Sequence, residues 1–230
     1  IGLDPENLRV VAPWVGGGFG PKAGLYIEHI LCAKAAQELN TPVKWTEQRG
    51  ENMLAMAQGR AMVMNAELGV NNDGSIVGLK ARVVADAGAY PAIGAILPML
   101  TMQLSQAVYN IPAIDFFAQS VVTNTTFIGA YRGAGRPEAT QMVERILDKA
   151  ANAIGMDPAE LRRKNYLQPD AFPLTTLVGA NYDSGEYERS LDAVLAVSYT
   201  HLRAHETLRY RVFRLEVEKK KGGGGGGGGG

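Results

Sequence analysis

A single cysteine, Cys32, in 230 residues excludes an internal disulfide and any cysteine-rich zinc or iron–sulfur site within the chain. Its place in an apolar helical pattern suits a small buried core residue. Net charge is lacking as well, with 23 Lys and Arg against 23 Asp and Glu. That balance is uneven along the chain. Residues 197–230 carry seven basic and three acidic side chains, leaving 16 basic and 20 acidic in the body. A mildly acidic body excludes the clustered basic surface that nucleic-acid binding requires. No run of about 18 apolar residues occurs, so no transmembrane helix is expected. The chain opens at Ile1 without Met or a charged leader, so no signal peptide is read. With 46% hydrophobic residues, the sequence suffices for one large domain or two small ones.

The tail reads differently from the rest. Val197 to Thr207 resembles the translation of a transposase-end adaptor from sequencing libraries. The three lysines Lys219–Lys221 and the nine glycines Gly222–Gly230 follow as homopolymer read-through would. Polyglycine carries maximal backbone entropy and nothing to bury. Residues 197–230 are therefore expected to be a disordered tail and an artefact of adaptor read-through. The i, i+4 pair His201 and His205 is set aside with it.

In the body, Asp4-Pro5-Glu6 predicts a single turn, and residues 8–14 read as a short strand closed by Pro13. After the loop Gly16–Gly20, the spacing of Ile27, Ile30, Leu31, Ala35 and Leu39 predicts a helix that Asn40 and Pro42 stop. Residues 43–46 read as a second strand. Residues 61–70 and 75–85 form a hairpin about Asn71-Asn72-Asp73-Gly74. Residues 98–108 read as helical and residues 114–122 as a strand. The polar loop 123–135 leads into a helix with Val143, Ile146, Leu147, Ala150 and Ile154 on one face, ended by Gly155. Asp157-Pro158-Ala159-Glu160 opens another helix, and 187–196 is a last amphipathic piece. Hairpin, interspersed strands and flanking helices indicate an α+β fold.

Two loops could carry chemistry. Glycines at Gly16-Gly17-Gly18-Phe19-Gly20 let backbone approach a ligand closely, and amides at a helix start favour an anion. Taken alone, the loop leaves open a turn that only packs. It also leaves open a non-catalytic or dinucleotide-binding α+β domain with Glu47 on a ribose, although the glycine spacing departs from that fingerprint. The second loop is Ala130-Tyr131-Arg132-Gly133-Ala134-Gly135-Arg136-Pro137-Glu138. A guanidinium among small neighbours can meet an anionic partner at close range. For Arg136, pairing with a surface carboxylate is the favoured reading.

Together these loops resemble the molybdenum-binding large subunits of the xanthine dehydrogenase, aldehyde oxidase and carbon monoxide dehydrogenase family. Gly59-Arg60, Tyr109-Asn110-Ile111-Pro112, Thr123-Asn124-Thr125 and Glu160–Asn165 add to the match across residues 1–196. The resemblance implies that residues 1–196 are the first half of a molybdopterin-binding domain, truncated at both ends. It implies a molybdenum–molybdopterin cofactor, in its cytosine dinucleotide form, with no protein side chain on the metal; His29 then reads as structural. Iron–sulfur clusters and FAD would reside on partner subunits, in a cytoplasmic dimer of heterotrimers acting on a small molecule. Metal-bound hydroxide attacks an electron-poor carbon in this family, and hydride passes to a sulfido ligand.

By matching position, Gly17, Gly18, Phe19, Gly20, Tyr131, Arg132 and Gly133 would bind the cofactor, with Arg132 catalytic. Ala23, Leu100 and Ala134 would line the substrate pocket. Ala23 and Leu100 stand where purine-oxidising members carry Glu and Arg, so a purine would find no polar grip. Gly133 stands where copper-dependent members carry a cysteine, so a soft ligand for Cu(I) is missing. The loop looks most like the copper-less group, and an aldehyde or N-heteroaromatic substrate follows. The family's general-base Glu lies outside this stretch, so the piece alone is expected to be inactive.

Overall fold

The computed structural model describes residues 1–205, with side chains through Ser198. Its centre is the hairpin. Strand β1 (Met62–Val70) and strand β2 (Ile76–Asp86) pair antiparallel from Met62 opposite Ala85 to Leu68 opposite Leu79, with an irregularity at Gly69/Val70. The turn between them is built as its residue types require: Asp73 Oδ1 accepts from the Ser75 amide at 3.0 Å and the Ser75 hydroxyl at 2.7 Å. Strand β3 (Ile114–Val121) then joins β2 in parallel register, giving the order β1-β2-β3. A parallel neighbour needs a crossover. Here the crossover holds the short helix α3 (Leu97–Gln103).

β2 is the central strand, and its alternation buries Leu79, Ala81, Val83 and Ala85. Helix α4 (Arg136–Ile154) packs on the sheet and buries Met142, Val143, Leu147 and Ala151. The 3.6-residue spacing places Val143 and Leu147 in this face, while Ile146, Ala150 and Ile154 are only half-buried at its edge. Gly155 ends α4 with φ +71 and two amide bonds back to Ala151 and Asn152. Asp157 caps helix α5 (Pro158–Asn165), accepting from the amides of Ala159 at 2.8 Å and Glu160 at 3.1 Å.

Two of the family-like motifs turn out to be staples far from the loops. Asn165 donates to the carbonyls of Gly74 and Leu161, both at 2.8 Å, and accepts from the Ile76 amide at 2.9 Å. It thereby laces α5 to the hairpin turn. Tyr109 is buried, stacks on Tyr166 at 5.6 Å, and donates to Glu144 at 2.9 Å. Arg162 holds the other oxygen of that carboxylate at 2.8 Å. Burial, and then the Glu144 charge, push the Tyr109 hydroxyl well above the ordinary tyrosine range.

The N-terminal region departs from expectation. Residues 8–14 and 43–46 form no strand. A strand needs a partner for its amides and carbonyls, and neither segment meets a sheet edge among the described residues. Trp14 stands 95% exposed. Helix α1 (Ile27–Leu39) forms and ends at Asn40 with φ +48, yet it buries no residue at all. Cys32, expected in a core, is only half-buried. Helix α2 (Arg49–Ala55) was not anticipated, and it likewise buries nothing.

The helix expected over 98–108 stops at Gln103: the chain leaves helical geometry at Leu104, with φ −109 and ψ 5, and turns on through Ala107 at φ +50. A two-stranded ribbon, β4 (Leu174–Thr175) with β5 (Asn181–Tyr182), precedes helix α6 (Tyr187–His205). α6 runs through Ala196 and Val197 without a break as far as His205, so this stretch of the expected disordered tail is helical. The remainder, residues 206–230, lies outside the described residues.

Candidate cofactor site

The two glycine-bearing loops meet. The chain around Gly20 lies so close to the second loop that a Cβ there would stand 2.3 Å from the Ala130 carbonyl oxygen and 3.2 Å from Tyr131 Cα. Only glycine tolerates both that approach and its φ of +99. From the other side the Arg132 guanidinium lies over the Phe19 ring, 5.8 Å from its centre. The expectation of a strand leading directly through the loop into a helix is not met. A 3-10 turn over Pro21–Ala23 intervenes, tied by Tyr26, whose hydroxyl donates to the Pro21 carbonyl at 2.6 Å. Nor does a strand flank the loop, so the dinucleotide reading loses its scaffold. Glu47, the ribose candidate of that reading, accepts from Asn52 at 2.8 Å instead.

Beneath the second loop is a small apolar pad: Leu97, Ile128 and Ala130, with Leu100 and Ala134 packed against it. Gly135 sits on this pad, with space for no Cβ, since one would fall 2.8 Å from both Leu100 Cβ and the Thr101 amide nitrogen. Two of the three expected substrate-pocket residues, Leu100 and Ala134, are thus neighbours. Ala23 is exposed on its 3-10 turn and makes no contact with that pad. Among the described residues Arg136 meets no carboxylate. It donates to the Gly133 carbonyl at 3.2 Å and closes its own loop.

Electrostatically, the site is rich in donors. Both loops are built from left-handed positions: Gly17, Phe19 and Gly20 in one, Gly133, Ala134 and Gly135 in the other. Turns of this kind can leave backbone amides facing outward, as anion-holding concavities require. Among the described residues the amides of Phe19, Gly20, Arg132 and Gly133 donate to no carbonyl or side chain. Arg132 forms no ion pair there either. The face is open: a Cβ at Gly16 would meet nothing within 4 Å. Free amides, an unneutralised guanidinium and open space suit an oxygen-rich anionic group such as a pterin cofactor.

Two residues of the site were not assigned roles from the sequence. Arg60 donates to both oxygens of Glu138, at 3.2 and 3.3 Å, to the Tyr131 carbonyl at 3.3 Å, and to the Arg132 carbonyl. Its guanidinium also lies 5.3 Å from the centre of the Tyr131 ring. Glu138 is buried in the first turn of α4. The adjacency of Gly59-Arg60 and the Pro137-Glu138 pair could have drawn attention, but nothing in their spacing links them. Further along, Asp86 anchors Thr123-Asn124-Thr125 where the loop leaves β3. It accepts from the Gly88 amide and the Thr123 hydroxyl, both at 2.7 Å, and from Thr125 at 3.0 Å. These bonds, the Gly88 amide foremost, hold its carboxyl below the usual carboxylate range.

Residues 1–166 match the model of the molybdopterin cofactor-binding domain. The chain belongs to that family. The molybdopterin-binding fold is shared with solved relatives. Quinoline 2-oxidoreductase from Pseudomonas putida 86 superposes with a TM-score of 0.80 at 30% identity, covering 87% of this chain and 26% of its own. In sequence, the carbon monoxide dehydrogenase large chain of Hydrogenophaga pseudoflava is 39% identical over 213 residues, 90% of this chain. The nicotine 6-hydroxylase large subunit of Paenarthrobacter nicotinovorans is 34% identical over 198 residues, 84% of this chain. The chain spans about a quarter of the length of these curated relatives, 26% and 24% respectively.

Proposed function

We propose that this chain is part of the large subunit of a molybdenum hydroxylase, with the Phe19–Gly20 and Tyr131–Gly133 loops forming one wall of its cofactor site. The observation that carries this reading is the meeting, across some 110 residues of sequence, of two loops in which, among the described residues, the Phe19, Gly20, Arg132 and Gly133 amides meet no acceptor and the Arg132 guanidinium no carboxylate. When bound, the molybdenum–molybdopterin cofactor supplies the two-electron oxidation of a substrate carbon.

The chain's own residues hold and polarise. The amides of Gly17, Gly18, Phe19 and Gly20 would donate to oxygens of the group. Arg132, with Tyr131 and the Gly133 amide, would hold it from the second loop, the guanidinium stabilising negative charge as it develops. The Phe19 ring beneath the Arg132 guanidinium limits the positions that it samples. The Leu97–Ile128–Ala130 pad keeps water from the underside of the loop. No general base is assigned within residues 1–196, and this piece alone is expected to lose molybdenum on desalting and turn nothing over.

The substrate we propose is an N-heteroaromatic or an aldehyde. Leu100 and Ala134 offer an apolar wall, and Ala23 supplies no carboxylate, which disfavours a purine. Quinoline and nicotine, in the names of two relatives, are N-heteroaromatic and favour that arm. Gly133 offers no thiolate for copper. The cytosine dinucleotide form of the cofactor, iron–sulfur and FAD subunits, a dimer of heterotrimers and a cytoplasmic location complete the proposal. No described helix is long and apolar enough to cross a membrane.

Arg132→Ala in the full-length enzyme tests it. The kcat on an N-heteroaromatic substrate should fall about 100-fold, the scale for removing one preorganised donor to developing charge. Unchanged turnover overturns the assignment of this loop.

A further inference from the structure

We propose that Arg60 is a positioning residue for Arg132, an inference that rests on the cofactor-site reading above. Arg60 lies 72 residues from Arg132 in sequence, yet its guanidinium is shared between the carbonyls of Tyr131 and Arg132 and the Glu138 carboxylate. It therefore grips the peptides on both sides of the Arg132 Cα and fixes them to the first turn of α4. Its own backbone is held at φ +71, a conformation that costs a non-glycine residue free energy and persists only where the surroundings impose it. Gly59 lets the clamp close, since a Cβ there would lie 2.8 Å from Tyr131 Cβ.

The charge arrangement points the same way. The Glu138 side chain is 4% exposed and Arg60 34%. A buried carboxylate needs a paired cation, and Arg60 is the cation that meets it. Arg60 thus spends its charge on Glu138 and its remaining donors on the loop. Among the described residues the Arg132 side chain lies over the Phe19 ring and meets no carboxylate, which leaves its N–H donors for a ligand. Planarity matters here: a five-donor fork can meet a carboxylate and two carbonyls together, whereas a lysine ammonium is a point charge.

The test uses the full-length enzyme with its cofactor bound. Arg60→Lys retains the charge that Glu138 needs but cannot span all three acceptors. Hydrogen exchange should quicken across residues 130–134 while residues 139–154 of α4 stay as protected as in the parent, with molybdenum content unchanged. The kcat should fall about 10- to 100-fold, the scale for outer partners of a metal site, with KM near its parental value. Because Arg60 acts through Arg132, adding Arg60→Lys to Arg132→Ala should lower kcat no further.

Parental exchange and kcat in Arg60→Lys overturn the proposal, as does loosening spread along α4 or a fully additive double variant. If Arg132→Ala is impaired but Arg60→Lys is not, only the positioning role falls. If Arg132→Ala is itself silent, the cofactor-site reading falls and this inference with it. Should Arg60→Lys fail to fold, Glu138→Gln, which keeps an acceptor and removes the charge, must produce the same local loosening and kcat loss.

Discussion

The first 56 residues and the body from Ala57 to Tyr182 are built on opposite plans. In the body, the sheet, α4 and α5 close on one another around Leu79, Tyr109, Leu147 and Leu161. In the N-terminal region two helices form without burying one residue, and Trp14, Leu25, Ile27 and Leu31 are exposed. Along α1 the apolar residues Ile27, Ile30, Leu31 and Leu39 are all exposed. Single exposed apolar residues are ordinary, whereas a contiguous set marks a contact surface. The contrast shows that helical periodicity reports where an apolar face lies, not what covers it.

That contrast can be broken most sharply by paired truncations. Leu147→Ala, in the fully buried face of α4, should destabilise the chain by about 2–5 kcal/mol. Leu31→Ala in α1 should cost no more than about 0.5 kcal/mol. Urea unfolding of both variants checks this, and equal losses would mean that α1 has a core after all. The seam between the regions comes next. Gly20→Ala drives a methyl group into the Ala130 carbonyl, and strain plus crowding should cost at least about 2 kcal/mol. The loss should be visible as a lower thermal midpoint and faster proteolysis before residue 57. A Gly20→Ala protein as stable as its parent would show that the regions do not lean on each other there.

The smallest effect belongs to the hairpin turn. The Ser75 hydroxyl and amide, with Lys164, lower the Asp73 carboxyl from 3.8 to about 2. A carboxyl lowered by folding contributes stability that is present above its unfolded value and lost as pH falls through the folded one. Its contribution should be whole above about pH 5 and fade from there down through about pH 2. Asp73→Asn should flatten that part of the stability profile, measured by urea midpoints across the acid range.

Local signals were legible because they are complete within a few residues. The Asn71–Gly74 turn, the Asp157 cap, the Gly155 stop and the α4 face each depend on neighbours in sequence, and each is found where its pattern puts it. The strands read at 8–14 and 43–46 failed because β-rich composition cannot supply a partner. The parallel pairing of β2 with β3 was invisible for the converse reason: register is set by tertiary packing. At the site, the two loops could be matched by their motifs, but the Arg60–Glu138 pair joins residues 78 apart in sequence. Neither residue carries a local sign of the other. The same holds for Asn165, whose motif was readable while its work at the hairpin was not.

Gly133 has φ +102, and a Cβ on it would lie 2.6 Å from two ring carbons of Pro137. A single-codon change to cysteine would therefore meet a rigid ring and an unfavourable backbone at once. A thiol at this position therefore calls for a change at position 137 or a rebuilt bend alongside it. In adaptive terms, the barrier to a thiol at this position is steric before it is chemical.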